Sequence, residues 1–151
     1  MRLGSLTRPE LIFPELRATD RTQLLRLLAE QVAERGLVQG ADELFQKLLE
    51  REQLGSTGIG SGIAIPHCKV KGLAQGVVAI GVVPEGVDFG AADGQPVRVI
   101  FMVISPSESP AEHLQILAAI SRWIKTGQHA EAILGLPSAE AIYEFLQREG
   151  G

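Results

Sequence analysis

The chain has 151 residues, a formal net charge of −4 and 45% hydrophobic residues, enough for the core of one domain. It has no run of like charges, which excludes a dedicated binder of nucleic acid or of an anionic membrane surface. No apolar run reaches the roughly 20 residues that span a bilayer, and the N-terminal residues do not resemble a secretory signal. The composition therefore predicts a cytoplasmic protein with one domain over residues 1–151, without direct membrane insertion.

The first half of the chain predicts a brief strand and two helices. Leu11-Ile12-Phe13 is a short apolar run. Thr19-Asp20 is a capping pair for a helix whose leucines recur at helical spacing up to Gly36. A second helix is predicted from about Ala41 to Glu52, directly before a glycine-rich stretch, so Arg51 is expected at the entrance of that stretch.

The second half predicts two buried strands followed by three helices. The runs from Gly76 to Val83 and from Val97 to Ile104 are continuously apolar, which is typical of strands buried on both faces. Between them, Pro84-Glu85-Gly86 is expected to turn the chain. A helix capped at Ser109-Pro110 should run up to Gly127, and two shorter helices should follow, at Gln128 to Leu134 and Ser138 to Arg148. This order predicts an α/β fold with one central sheet.

The stretch from Leu54 to Lys69, LGSTGIGSGIAIPHCK, is the strongest candidate for a functional site. Its glycines permit positive φ and a close approach of a ligand or partner, and Pro66 stiffens the backbone immediately before His67. A dinucleotide fingerprint and a P-loop are excluded, because a charged helix precedes the stretch and no Lys-Ser/Thr pair follows. The alternative is a surface loop that needs glycine only for its backbone conformation.

Two of the three histidines are expected to reach the same edge of the sheet. His67 follows a short extended run, and His113 lies in the first turn of the helix after the second buried strand. Ligands of α/β folds bind at the carboxyl ends of strands. His129, at a polar helix start, is expected to be structural or solvated.

A neutral imidazole is a nucleophile near neutral pH and forms an energy-rich N–P bond. Transfer of a phosphoryl group also needs in-line positioning, with positive charge or N–H donors around three anionic oxygens. No metal or other cofactor is needed when the transfer runs between two histidines. The residues expected to surround a phosphoryl group at His67 are Arg51, His113, Ser56, Thr57 and Gly58.

Other chemistries remain as alternatives. A metal-dependent hydrolase is disfavoured, because His67, Cys68 and His113 are the only soft donors at hand and adjacent residues of an extended segment point to opposite faces. A Cys68 nucleophile would need its thiol at the mouth of the loop, whereas a small packed thiol is the simpler interpretation. Lys69 and Lys71 are expected to be solvated.

The stretch from Leu54 to His67 resembles the signature of the fructose/mannitol-type enzyme IIA of the bacterial phosphotransferase system, a family with a nitrogen-regulatory branch. The similarity covers nearly the whole chain. Further matching segments are Ala18-Thr19-Asp20-Arg21, Leu48-Leu49-Glu50-Arg51-Glu52, Gly86-Val87-Asp88-Phe89, Asp93-Gly94-Gln95-Pro96-Val97 and His113-Leu114.

The resemblance implies a mixed sheet flanked by helices on both faces and a phosphocarrier function. His67 would accept a phosphoryl group from phosphohistidine-HPr and pass it to a IIB domain. His113 would contact the phosphoryl group or the active imidazole, and Arg51 matches the arginine before the glycine loop. With no IIB, IIC or HPr-like segment in the sequence, the partners are expected to act in trans. In the alternative, phosphorylation of His67 controls binding to regulatory partners without sugar transport.

The sequence departs from the family pattern at two positions. Mannitol-type members often carry glutamate six residues before the active histidine, where this chain has Ser61. Mannitol is therefore a less favoured substrate, and because the regulatory branch usually has asparagine there, Ser61 does not decide the subclass. Cys68 stands where many members have glycine and is expected to make the site sensitive to oxidation.

Overall fold

The computed structural model describes residues 1–126 and 128–150. Within these residues, a mixed sheet of six strands forms the centre of the fold. The strands are β1 (Ile12–Phe13), β2 (Gly58–Gly60), β3 (Ile63–Ala64), β4 (His67–Val70), β5 (Val77–Val87) and β6 (Val97–Pro106). The helices are α1 (Arg21–Glu34), α2 (Ala41–Gln53), α3 (Pro110–Lys125), α4 (His129–Leu134) and α5 (Ala139–Arg148), and two short 3₁₀ turns, Leu3–Ser5 and Pro9–Leu11, precede β1.

The strand order is β1-β5-β6-β3-β2, and β4 also pairs with β6 beyond the end of β3. β5 and β6 are antiparallel, whereas β3 and β4 run parallel to β6. Both long strands are buried along most of their length, as their continuous apolar sequences predict.

Helices cover both faces of the sheet, which confirms the predicted fold class. α1 and α2 pack with one hydrophobic cluster, and α3, α4 and α5 pack with a second cluster on the other face. Among the described helices, none combines the length and the apolarity needed to cross a bilayer.

The helix starts predicted at Asp20, Ser109 and Ser138 are confirmed, and at two of them the cap side chain accepts a hydrogen bond from the helix backbone. The Gln23 N–H donates to Asp20 Oδ1 (2.8 Å) at the start of α1, and the Ala141 N–H donates to Ser138 Oγ (3.1 Å) at the start of α5. Ser109 precedes α3, but its side chain forms no capping hydrogen bond. The expected end of this helix at Gly127 lies outside the described residues.

The turn expected at Pro84-Glu85-Gly86 is wrong. β5 continues to Val87, which pairs with Val97, and the register shifts between Val82 and Val87. Gly86 has a φ of 79°, so this segment is an irregularity within a strand rather than its end. The chain instead reverses in the loop that follows β5.

The glycine-rich stretch contains a small hairpin that its sequence did not predict. β2 and β3 pair antiparallel, and the turn between them has positive φ at Gly60 (92°), Ser61 (58°) and Gly62 (79°). The Ser61 N–H donates to Asp93 Oδ2 (2.9 Å). Two of the glycines are therefore needed for the left-handed backbone of this turn.

Candidate functional site

His67 opens β4, where it pairs in register with Val103 of β6. Its Nδ1 lies 2.8 Å from the carbonyl oxygen of Ile65, and its Nε2 lies 3.2 Å from Nε of Arg51. A carbonyl only accepts and a guanidinium only donates, so Nδ1 carries the proton and Nε2 keeps its lone pair. The two contacts define a neutral imidazole with a nucleophilic Nε2.

The surroundings of His67 also favour its neutral form. Burial lowers the pKa of His67 below its ordinary value of 6.5, and the positive charge of Arg51 lowers it as well. The hydrogen bond to Ile65 acts in the opposite direction but does not reverse the shift. His67 is therefore available as a nucleophile at neutral pH.

Arg51 reaches His67 from the last turn of α2. While its Nε contacts His67, its Nη1 donates to the carbonyl oxygen of Gly55 (2.8 Å). This second hydrogen bond ties the guanidinium to the chain that leaves α2. The predicted position of Arg51 at the entrance of the glycine-rich stretch agrees with the structure.

His113 lies beside His67, with 5.3 Å between the ring centroids. It is buried in the first turn of α3, and its Nδ1 is hydrogen-bonded to the hydroxyl of Ser105. Burial, together with the charges of the neighbouring His67 and Lys69, lowers the pKa of His113 to about 4. Sequence reasoning did not identify Ser105, although it is a lone hydroxyl residue at the end of an apolar strand.

His67 and His113 line an open cleft together with Arg51. The cleft is also lined by Lys47, Glu50, Leu54, Cys68 and Lys69. Lys69 is exposed, as predicted, yet its position at the cleft gives it and the unpredicted Lys47 a potential role. The cationic side chains around the cleft favour an anionic group there.

Ser56, Thr57 and Gly58 do not line this cleft. The Thr57 hydroxyl and N–H both donate to Glu52, and the Ser56 hydroxyl donates to the carbonyl oxygen of Phe89. The Gly58 N–H donates back to Ser56 Oγ (2.9 Å). These groups hold the loop in place, and no contact supports the phosphoryl-binding role predicted for them.

Cys68 is a packed thiol rather than an exposed nucleophile. It belongs to the hydrophobic cluster beneath α1 and α2, and burial raises its pKa to about 12. The thiolate is the reactive form of cysteine. The expected sensitivity of the site to oxidation therefore has no support at Cys68.

His129 has a structural environment. Its ring stacks on Trp123 with 4.5 Å between centroids, and its Nδ1 lies 3.0 Å from the Trp123 carbonyl oxygen. This agrees with the structural interpretation of its sequence position. In the described part of the chain, no three His, Cys, Asp or Glu side chains gather as metal ligands would.

The fold and the cleft together define an α/β protein with a nucleophilic histidine in a cationic surface site. The chain belongs to the family described as "Phosphoenolpyruvate-dependent sugar phosphotransferase system, EIIA 2", whose model matches residues 5–149. It is thus a phosphotransferase component of the IIA type, which acts as a phosphocarrier.

Similar proteins come from two functional branches. A nitrogen regulatory protein of Bradyrhizobium diazoefficiens is 36% identical over 148 residues, which are 97% of this chain and 95% of that protein. A fructose-specific EIIA component of Haloferax volcanii is 33% identical over 144 residues, with coverages of 95% and 94%.

Solved structures share the fold. The nitrogen regulatory protein IIA-Ntr of Neisseria meningitidis superposes with a TM-score of 0.86 at 30% identity, covering 95% of this chain and 97% of that one. A complex of Escherichia coli IIA mannitol with phosphorylated IIB mannitol gives a TM-score of 0.77 at 24% identity, with coverages of 95% and 99%.

Proposed function

We propose that this protein accepts a phosphoryl group on Nε2 of His67 from an HPr-like phosphocarrier protein and passes it to a IIB domain. The observation that carries the proposal is the hydrogen-bond pattern of His67. The Ile65 carbonyl holds the proton on Nδ1, and Arg51 donates to Nε2. The acceptor atom and a cation for the incoming anion therefore lie side by side.

The transfer balances without a metal ion or a net proton. The Nε2 lone pair attacks phosphorus in line, the new N–P bond forms as the donor's N–P bond breaks, and the donor imidazole keeps that electron pair. The phosphorylated ring of His67 keeps its Nδ1 proton, and the Ile65 carbonyl stabilises it. Arg51 turns from Nε2 to a phosphoryl oxygen, where Lys47 and Lys69 add positive charge.

We propose that both partners dock on the face around the cleft. Two large apolar side chains, Leu54 and Leu114, are 85% and 67% exposed. Leu54 lines the cleft and Leu114 follows His113. An apolar contact that excludes water around the reacting histidines strengthens the electrostatic stabilisation of the phosphoryl group. The fold shared with a IIA protein solved in complex with phosphorylated IIB mannitol supports a IIB partner.

A regulatory role is the second candidate. It is favoured by the 36% identity to a protein named nitrogen regulatory protein. In this role, phosphorylation of His67 adds negative charge to the docking face and so changes its affinity for regulatory partner proteins. The fructose-specific relative favours the transport role, and with it fructose rather than mannitol as the sugar.

We further propose that the protein works in the bacterial cytoplasm. The phosphoryl chain of its family begins with phosphoenolpyruvate, which is made inside the cell. The free thiol of Cys68 is compatible with a reducing compartment.

Reconstitution tests the proposal. With labelled phosphoenolpyruvate, enzyme I and HPr, the chain should acquire an acid-labile, base-stable label that His67→Ala abolishes. His129→Ala is the matched control and should keep the label. A label that persists in His67→Ala would contradict the proposal.

A second step separates the two roles. The labelled protein is mixed with IIB domains of fructose-type and mannitol-type permeases. Rapid discharge onto a IIB domain supports transport. A label that is stable against every IIB domain, together with a regulatory partner that binds only one phosphorylation state, supports regulation.

A further inference from the structure

We propose that Ser105 is a positioning residue whose hydroxyl donates to Nδ1 of His113 and holds that ring in the tautomer with its proton on Nε2. The tautomer can be measured without any phosphoryl transfer. The use of the Nε2–H group in transfer rests on the function proposed above.

The burial of Ser105 decides which group donates in its hydrogen bond with Nδ1 of His113. Ser105 is 0% exposed at the end of β6, and among the described residues its hydroxyl has one partner, Nδ1 of His113. If Nδ1 carried the proton, it would donate to Ser105, and the serine hydrogen would be left without an acceptor. A buried unsatisfied polar group is costly. The arrangement that satisfies both groups has Ser105 donating to a bare Nδ1.

The other ring nitrogen of His113, Nε2, is available as a hydrogen-bond donor in the cleft. Nε2 forms no hydrogen bond among the described residues. Among these residues, two side-chain polar atoms are fully buried without a partner, Thr7 Oγ1 and Trp123 Nε1, and Nε2 of His113 is not one of them. It therefore keeps some solvent contact, although His113 as a whole is only 6% exposed. Because His113 lines the cleft, a proton on Nε2 is a donor available there.

The two histidines thus carry opposite tautomers, each set by an oxygen behind the ring. The Ile65 carbonyl can only accept, so it fixes the proton of His67 on Nδ1. The Ser105 hydroxyl donates, so it fixes the proton of His113 on Nε2. The low pKa of His113, about 4, keeps its ring neutral at physiological pH, so tautomer choice decides whether it donates.

The tautomer of His113 decides whether its Nε2 attracts or repels a phosphoryl group on His67. The ring centroids of His67 and His113 are 5.3 Å apart. With its proton on Nε2, His113 can therefore donate to an oxygen of a phosphoryl group on His67. In the other tautomer, a lone pair would face that anion and repel it. Ser105 therefore selects the attractive arrangement without touching the phosphoryl group.

Nitrogen-15 NMR of the histidine rings in the full chain tests the tautomer at neutral pH. We expect a protonated Nε2 and an unprotonated Nδ1 for His113 in the wild type, a mixture or reversal in Ser105→Ala, and retention in Ser105→Thr if that variant folds. Ser109→Ala is the control, because its side chain forms no capping bond. A wild-type His113 protonated on Nδ1, or a Ser105→Ala spectrum identical to the wild type, would overturn the proposal.

Single-turnover transfer from phosphorylated HPr tests the use of the tautomer. We expect Ser105→Ala to slow transfer about three- to tenfold, the scale of one lost hydrogen bond, and to have no effect in a His113→Ala background. An equal loss in that background would show that Ser105 acts through packing, which contradicts the proposal. If the wild type accepts no phosphoryl group, the proposed function fails, and the NMR result still decides the role of Ser105.

Discussion

At the scale of single residues, the tautomer of His67 is set by one neighbour that can only accept a hydrogen bond and one that can only donate. The Ile65 carbonyl has no proton to give, and the Arg51 guanidinium has no lone pair to offer. Together with burial, which lowers the pKa of His67, these contacts prepare Nε2 as a nucleophile before any partner arrives. The reactivity proposed for His67 therefore follows from contacts within the chain itself.

Arg51 should be irreplaceable by lysine. Its Nε contacts His67 while its Nη1 holds the Gly55 carbonyl, and a single ammonium group cannot reproduce this planar arrangement. We expect Arg51→Lys to lower the single-turnover transfer rate about 100-fold. Arg122→Lys, on an exposed part of α3, is the control. Equal rates in the two variants would show that Arg51 contributes only charge.

The burial of His113 predicts a pH dependence of stability. Its pKa is about 4 in the folded chain and 6.5 ordinarily, so the unfolded chain binds the extra proton first as the pH falls. The contribution of His113 to stability is complete above pH 6.5 and is lost as the pH falls from 6.5 to 4. Urea unfolding should show a smaller loss over this range for His113→Gln. Parallel curves for the two proteins would contradict the assignment.

At the scale of elements, the loop after α2 is held by a buried carboxylate. Glu52 accepts from both the hydroxyl and the N–H of Thr57, and Nη1 of Arg21 lies 3.6 Å away. Arg21 also donates to the Phe89 carbonyl (3.2 Å). This network joins the start of α1, the end of α2 and the loop after β5, and it fixes the position of the adjacent Arg51.

Thr57→Val should weaken this network while keeping the volume of the side chain. The variant keeps the N–H donor but removes the hydroxyl, so one oxygen of the buried Glu52 loses its partner. We expect a loss of about 1–3 kcal/mol in urea unfolding and faster amide exchange in residues 54–62. Thr126→Val removes an exposed hydroxyl that donates to the Arg122 carbonyl, and it should change stability by less than about 0.5 kcal/mol. Similar losses in both variants would argue against the network.

The sequence predicted the elements with strong periodicity and missed those that depend on backbone geometry. α1, α2, α5 and the two long strands follow from apolar spacing and caps. The hairpin at Gly58–Gly60 and Ile63–Ala64 did not, because strands of three and two residues carry no periodic signal. Pro84 and Gly86 suggested a turn, but the pairing of Val87 with Val97 keeps the segment in the sheet.

The site shows the same division. Arg51, His67 and His113 were found because the order of elements brings them to one edge of the sheet. The sequence predicts Ser56 and Thr57 at the phosphoryl group because the glycine-rich stretch offers their hydroxyls as donors to its oxygens. Only the three-dimensional contacts reveal that Glu52 and the Phe89 carbonyl occupy those hydroxyls.

At the scale of the whole molecule, the cleft combines His67 with the apolar Leu54 and with cationic side chains. The exposed Leu54 lines the cleft and the exposed Leu114 follows the cleft residue His113 in sequence, whereas Ile59, 54% exposed, belongs to the hairpin strand β2 and does not line the cleft.

Leu54→Ser and Leu114→Ser should weaken docking while leaving the fold intact. Both side chains are exposed, so their loss removes apolar contact with the partner and little core packing. We expect the KM for phosphorylated HPr to rise about tenfold for each variant, with an unchanged urea midpoint. Ile59→Ser is the matched control and should keep the wild-type KM. The same increase for Ile59→Ser would place docking elsewhere or make it diffuse.

The central claim is that Nε2 of His67 is the phosphoryl acceptor. Phosphorus–nitrogen NMR of the nitrogen-15-labelled, phosphorylated full-length protein identifies the bonded nitrogen directly. The account predicts phosphorus on Nε2 of His67, with the proton retained on Nδ1. Phosphorus on Nδ1 of His67, or on a nitrogen of His113, would contradict it.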